Sequence, residues 1–128
     1  MSDFSALRLG SAWRRIAGLM DEAAQDFVRT SFSSVVRDNW DLAIGLMDSA
    51  GRQFAQSSRS VPSFVGTMPV TLGHMLARIP RERLQPGDVL ISNDGYLGTG
   101  HLNDITFIRP VFRDGRIAAW IGCTFHCT

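Results

Sequence analysis

The stretch ITFIRPVFRDGRIAAWIGCTF, residues 105–125, decides the fold. Two apolar runs, 105–112 and 116–125, flank RDGR, and Asp114-Gly115 is the strongest short-range signal for a tight hairpin with both turn residues at positive φ. Pro110 has no amide hydrogen, so its strand lies at a sheet edge or holds that residue at a non-bonded position. A two-residue loop at 114 and 115 sets His126 opposite Asn103 if the ladder reaches that far. His101, two positions before Asn103, then shares a sheet face with His126 as its diagonal neighbour, about 7–8 Å away at the backbone. Asp104 faces the other way unless the ladder is broken, and a one-residue slip reverses the whole assignment.

Working outward, DLAIGLM (41–47), DSAG and RQFAQ (52–56) read as another hairpin whose turn uses Gly51 at positive φ. LQPGDVLISND supplies a turn at Pro86-Gly87 and a short strand over 88–92. Helical periodicity occurs twice. From an N-cap at Ser11, the residues Trp13, Ile16, Ala17, Met20, Ala24, Phe27 and Val28 form one apolar stripe that ends softly in the TSFSS run at 30–34. Gly18 weakens that helix and implies a close packing contact there. SSRSVPSFVGTMP reads as a loop punctuated by Pro62, Gly66 and Pro69, after which Thr71 caps a short helix. That helix gathers Leu72, Met75, Leu76 and Ile79 on one face, turns His74 outward and stops at Pro80. Trp13, Trp40 and Trp120 are expected as core or interface anchors. The fold class expected is α+β: a long N-terminal helix, a short second helix and mostly antiparallel β-hairpins. The chain reads as a single unit over 1–128, part of a larger domain, because HCT follows an apolar strand with no turn or polar tail.

At 128 residues the chain has room for one core. Its 13 basic and 12 acidic side chains are interspersed, which leaves no electrostatic footprint for nucleic acid or an anionic membrane. The N-terminus lacks a signal-peptide pattern and no stretch approaches the roughly 18 uninterrupted apolar residues of a membrane span, so a soluble, cytoplasmic protein is expected. Cys123 and Cys127 lie in one strand about 13 Å apart at ~3.3 Å per residue, too far to bridge, and are expected as free thiols.

NDGYLGTGHLND, residues 93–104, concentrates three glycines, two aspartates, two asparagines and a histidine. A phosphate loop would need a following Lys-Ser/Thr and a helix, and neither follows Gly95, Gly98 and Gly100. Metal ligation is the second use: imidazole nitrogen with carboxylate oxygen suits zinc, manganese or iron, and His101, Asp104 and His126 are the candidates. The third use is plain turn chemistry with solvated histidines. No nucleophile elbow, Cys/His dyad or paired zinc cysteines occur, so no catalytic residue is assigned.

GDVLISNDGYLGTGHLNDITFIRPVFRDGR resembles the stretch of the hydantoinase B/oxoprolinase family written GDV, then NDPY or NDPW, a glycine-rich run, HLPD or HLND, and a buried strand with a turn. DLAIGLMDSAGRQFAQSS with VPSFVGTMP is similar to an earlier block of the same family: an aspartate-led strand, D-x-x-G-R, an alanine-glutamine pair and G-S/T-M-P. Both blocks agree in order and spacing over roughly residues 11–128.

The resemblance implies a B-type subunit of an ATP-dependent hydantoinase or 5-oxoprolinase, related to acetone and acetophenone carboxylase subunits. It implies ATP on a partner A-type subunit, a small cyclic amide as substrate, a divalent metal centre in this chain and a hetero-oligomer. Carried over by position, Asp41 takes the place of the strand-leading aspartate and His101 that of the histidine in HLPD, both as metal ligands. Asp104 matches the acid of that motif, and His126 the first histidine of a histidine-rich segment. Cys127 replaces what is often a second histidine, Gly95 stands where proline is common, and Ser60 and Phe64 stand where many members have histidines, so the metal shell here is expected to differ or be incomplete. Two alternatives follow: a catalytically silent, truncated module that only associates with partner chains, or a fragment of a related ketone carboxylase subunit.

Overall fold

The computed structural model describes residues 5–128. A 25-residue helix, α1 (Ala6–Thr30), begins at Ser5, whose hydroxyl accepts from the Arg8 amide, and not at Ser11. Its periodic stripe lies as expected, with Met20 and Ala24 buried. Gly18, however, makes no close contact: a Cβ there would meet nothing within 4 Å. A one-and-a-half-turn helix, α2 (Ser34–Asn39), follows, with Ser33 as N-cap and Trp40 as a left-handed C-cap at φ 57°.

The first hairpin forms as read, from β1 (Leu42–Asp48) and β2 (Gln53–Gln56), with Gly51 at φ +85°. Asp48 builds the turn: Oδ1 accepts from the amides of Ala50 and Arg52, and Oδ2 accepts from the Arg52 guanidinium.

The next element corrects the sequence reading. A single 17-residue helix, α3 (Pro62–Arg78), replaces the loop and short Thr71-capped helix. Pro62 occupies the first turn, where its missing amide hydrogen costs nothing. Pro69 sits inside the helix and removes one backbone hydrogen bond. The helix persists because Phe64, Met68, Leu72 and Met75, spaced by four, four and three, bury one continuous face across that proline. Thr71 is mid-helix, its hydroxyl donating to the Thr67 carbonyl at 3.0 Å. A 3-10 turn at Arg81–Arg83 leads to β3 (Leu90–Ser92), then β4 (Asp104–Arg113) and β5 (Arg116–His126).

The five strands form one antiparallel sheet in the order β2-β1-β5-β4-β3. β5 is therefore central, paired with β1 as far as Phe125 and with β4 as far as His126. β3 pairs β4 only from Ile108 to Thr106, so Pro110 lies where β4 is itself an edge. One sheet face carries Ala43, Met47, Ile108 and Trp120 against α3. The other carries Leu42 and Ile44 against Met20, Ala24 and Val36 of the first two helices. Gly122 lets Met68 pack close on the α3 face, since a Cβ there would stand 2.8 Å from the Met68 sulfur. Trp120 is fully buried, whereas Trp13 is half exposed and leans on Phe54. Among the described residues no helix is long and apolar enough to cross a membrane.

Candidate metal centre

The second hairpin closes at Asp114 (φ 51°) and Gly115 (φ 72°), as Asp-Gly demands. Near the turn Arg113 pairs with Arg116 and Phe112 with Ile117, the expected register. A bulge between Val111 and Phe112 then passes over Ala118, and Val111 pairs with Ala119. From there the register is moved by one, so His126 lies opposite Asp104 and not Asn103. The correction brings the acid to the face the sequence reading assigned only to the histidines. Opposed residues of an antiparallel pair point the same way.

The geometry is close. His126 Nδ1 lies 3.0 Å from Asp104 Oδ1, and His101 Nε2 lies 3.3 Å from Asp104 Oδ2. His101 is not in the ladder but in the turn just before β4, and its ring stands 5.2 Å from that of His126, edge to face. One donor atom from each of the three residues falls within 4.8 Å of the others. The Asp104 side chain is 0% exposed, against 23% for His126 and 53% for His101, so the acid forms the floor and His101 the rim.

Asp104 Oδ2 is one of two buried side-chain polar atoms among the described residues that lack a hydrogen-bond partner. The 3.3 Å approach of His101 is near enough for attraction but lacks hydrogen-bond alignment. A buried carboxylate oxygen with no donor is costly unless a cation answers it. Two imidazoles and one carboxylate around that oxygen are a donor set that zinc, manganese or iron accepts.

Several elements hold the site. The His126 amide donates to the Asp41 carbonyl at 3.1 Å, and the Ser33 hydroxyl donates to the His126 carbonyl at 3.0 Å. Asn103 clamps the next residue, its carbonyl accepting from the Cys127 amide at 2.8 Å and its side-chain amide donating to the Cys127 carbonyl at 3.1 Å. Behind the site the Thr106 and Thr124 hydroxyls, both buried, lie 3.0 Å apart. The sequence reading missed Ser33, although a serine before SVVRDN carries an N-cap signal.

Asp41 is thus the immediate backbone neighbour of His126, but its carboxylate lies outside the three-residue donor group. Cys127 is also outside that group. Ser60 accepts from the Ile44 amide at 3.3 Å and Phe64 packs on Ala43 and Met68, so both serve the fold. Both cysteines are free, and burial pushes the Cys123 thiol up to about 12.

An open depression of about 560 Å³ adjoins the site, lined by Gly95, Tyr96, Gly100, His101, Leu102 and Asn103. A groove of about 590 Å³ beside Trp13 and Phe54 lies on the β2 side and contains none of the three donors.

The model of the Hydantoinase B/oxoprolinase family matches residues 6–128. A 5-oxoprolinase of Arabidopsis thaliana is 31% identical over 112 residues, 88% of this chain and 9% of that protein. Of solved structures, a nucleotide-free acetone carboxylase superposes with a TM-score of 0.81 at 24% identity, covering 91% of this chain and 16% of that one. An ATP-dependent caprolactamase from Pseudomonas jessenii gives 0.66 at 22% identity, covering 89% and 20%. These structural likenesses speak for the fold. The chain spans about a tenth of the length of the oxoprolinase it matches.

Proposed function

The chain belongs to the Hydantoinase B/oxoprolinase family, and from that premise we propose that it contributes a divalent-metal centre to an ATP-coupled enzyme that opens small cyclic amides of the hydantoin or 5-oxoproline type. The observation that carries the reading is the buried, unpartnered Oδ2 of Asp104 between His101 and His126. Asp104 and the two histidines are the proposed donors, and Asp41, bonded through its carbonyl to His126, is the proposed fourth.

A bound zinc, manganese or iron ion would act there as a Lewis acid on a carbonyl or phosphoryl oxygen. The chain's own groups set the rest. Asp104 is held in the ladder opposite His126, His126 is pinned by its backbone bonds, and His101 faces the depression where a small ring has room. ATP is proposed to bind a hydantoinase A-type partner, in keeping with the relatives whose names record ATP dependence and with the absence of a P-loop pattern in this sequence.

The test has two stages. Metal-free chain titrated with zinc or manganese by calorimetry should take up one equivalent, and failure to bind either ion would remove the metal centre. The chain combined with an A-type subunit and ATP should then release ADP in step with ring opening of 5-oxoproline or hydantoin. ADP release in step with carboxylation of acetone, and not with ring opening, would move the activity to ketone carboxylation.

A further inference from the structure

This inference rests on the reading of His101, Asp104 and His126 as metal donors, and concerns what ties the loop before His101 to the rest of the fold. The loop closes on itself: the Leu97 amide donates to the Asp94 carbonyl and the Gly100 amide to the Gly95 carbonyl, both at 3.1 Å. The Tyr96 amide donates to the Asp94 carboxylate at 3.0 Å, and Ser92 and Asn93 bond Asp94 and Leu102 within the same excursion from β3 to β4. These bonds make the loop one unit without fixing it against another element. No residue from 93 to 103 is buried, so core packing does little to hold it either. Among the described residues one hydrogen bond joins residues 94–102 to a part of the fold outside 92–104: the Leu97 carbonyl accepts from the Thr71 hydroxyl at 3.2 Å.

Thr71 is 2% exposed in the middle of α3, the helix that covers the sheet face on which Asp104, Thr106 and Ile108 stand. Its hydroxyl has one proton, shared between the Thr67 and Leu97 carbonyls at 3.0 and 3.2 Å. In a helix the Thr67 carbonyl already takes the Thr71 amide, whereas the Leu97 carbonyl has no other donor among the described residues. The Leu97 arm is therefore the one that matters. Gly98 lies against the same hydroxyl, where a Cβ would stand 2.9 Å from it. We propose that Thr71 is the positioning residue of His101: its hydroxyl docks the loop on α3 through the Leu97 carbonyl, and the docked loop delivers the imidazole to Asp104. His101, the most exposed of the three donors and the only one outside the ladder, depends on that tether most.

The test compares Thr71→Val, which keeps the shape and loses the hydroxyl, with Thr71→Ser, which keeps the hydroxyl. Thr67→Val is the control, since that hydroxyl donates to the Phe64 carbonyl of the same helix and not to the loop. Two readouts are taken: the proton NMR contact between the imidazoles of His101 and His126, whose centroids are 5.2 Å apart, and the zinc dissociation constant. In Thr71→Val the imidazole contact should vanish while cross-strand amide contacts between β4 and β5 persist. Zinc should bind about 10-fold more weakly, the lower end of the range for loss of a partner that orients a ligand. Thr71→Ser should restore both readouts, and Thr67→Val should change neither. An unaltered imidazole contact in Thr71→Val overturns the proposal, and so does an equal loss in Thr71→Ser, which would assign the effect to the methyl group. If Thr71→Val fails to fold, Gly98→Ala breaks the same bond from the loop side, and an unaltered imidazole contact there overturns the proposal as well. If the unmutated chain binds no zinc but Thr71→Val still loses the imidazole contact, the metal reading falls and the positioning role stands.

Discussion

His126 and Asp104 face each other across the central strand pair, Nδ1 to Oδ1 at 3.0 Å, on a carboxylate whose other oxygen has no hydrogen-bond partner. Replacing that acid by its isosteric amide separates charge from shape. Asp104→Asn keeps an oxygen for His126 but removes the anion that a cation needs. Zinc uptake measured calorimetrically should fall at least 10–100-fold, taking the loss of an outer-shell partner as about the lower limit. Undiminished affinity would mean that the buried acid serves only to orient the two histidines.

Asp41 poses a narrower question, because its carbonyl and not its carboxylate is engaged with His126. Asp41→Ala leaves the main-chain bond intact, so the urea midpoint should move little. Zinc affinity should nevertheless drop by about 10-fold or more if the carboxylate turns in as fourth ligand. An identical dissociation constant would confine the shell to His101, Asp104 and His126.

The motifs that carry His101, Asp104 and His126 were legible in the sequence, but the facing of these side chains was not. Asp114-Gly115 announced the hairpin, and the register holds at Arg113 and Phe112. The bulge at Ala118 then moves every later pair by one. Nothing in RIAAWIG marks it, since either alanine fits a regular strand. Helix α3 was hidden for a different reason. Pro62, Gly66 and Pro69 each signal a break locally, yet the buried face from Phe64 to Met75 outweighs one missing hydrogen bond. The central place of β5 depends on β1, some 80 residues earlier in the chain, and no local pattern records that pairing.

Trp120 is the largest side chain buried between the sheet and α3, and its indole nitrogen donates to the Ser49 carbonyl at 3.4 Å. Trp120→Ala should cost about 3–5 kcal/mol, as large-to-small changes in a core do. That is a large part of the stability of one domain, so the variant's urea midpoint should fall steeply. A loss of under about 1 kcal/mol would mean that α3 does not close on the sheet as described.

Asp48 supplies an acid-side effect. The Arg52 amide, with the Arg52 guanidinium and the Ala50 amide, holds its carboxyl below the usual carboxylate range. A carboxyl depressed in the folded state stabilises the fold above its unfolded pKa, and that contribution disappears as pH falls through the folded value. Asp48→Ala should therefore be less stable than the parent at pH 7. The gap between their urea midpoints should narrow toward pH 2. A gap independent of pH would assign the effect to the turn's shape and not to the charge.

The two thiols should differ in reactivity. Cys123 points into the cluster of Phe125, Ile121 and Leu42 under the first two helices, and burial raises its pKa to about 12. Because the thiolate is the nucleophile, Cys123 should react far more slowly than an ordinary thiol at pH 8. Cys127, partly exposed beyond the end of β5, has no such cover. Iodoacetamide at pH 8 should add one group per folded chain, and peptide mapping should locate it at Cys127. Adding urea should release the second site. Rapid double labelling of the folded chain would show that α1 and α2 do not shield that face of the sheet.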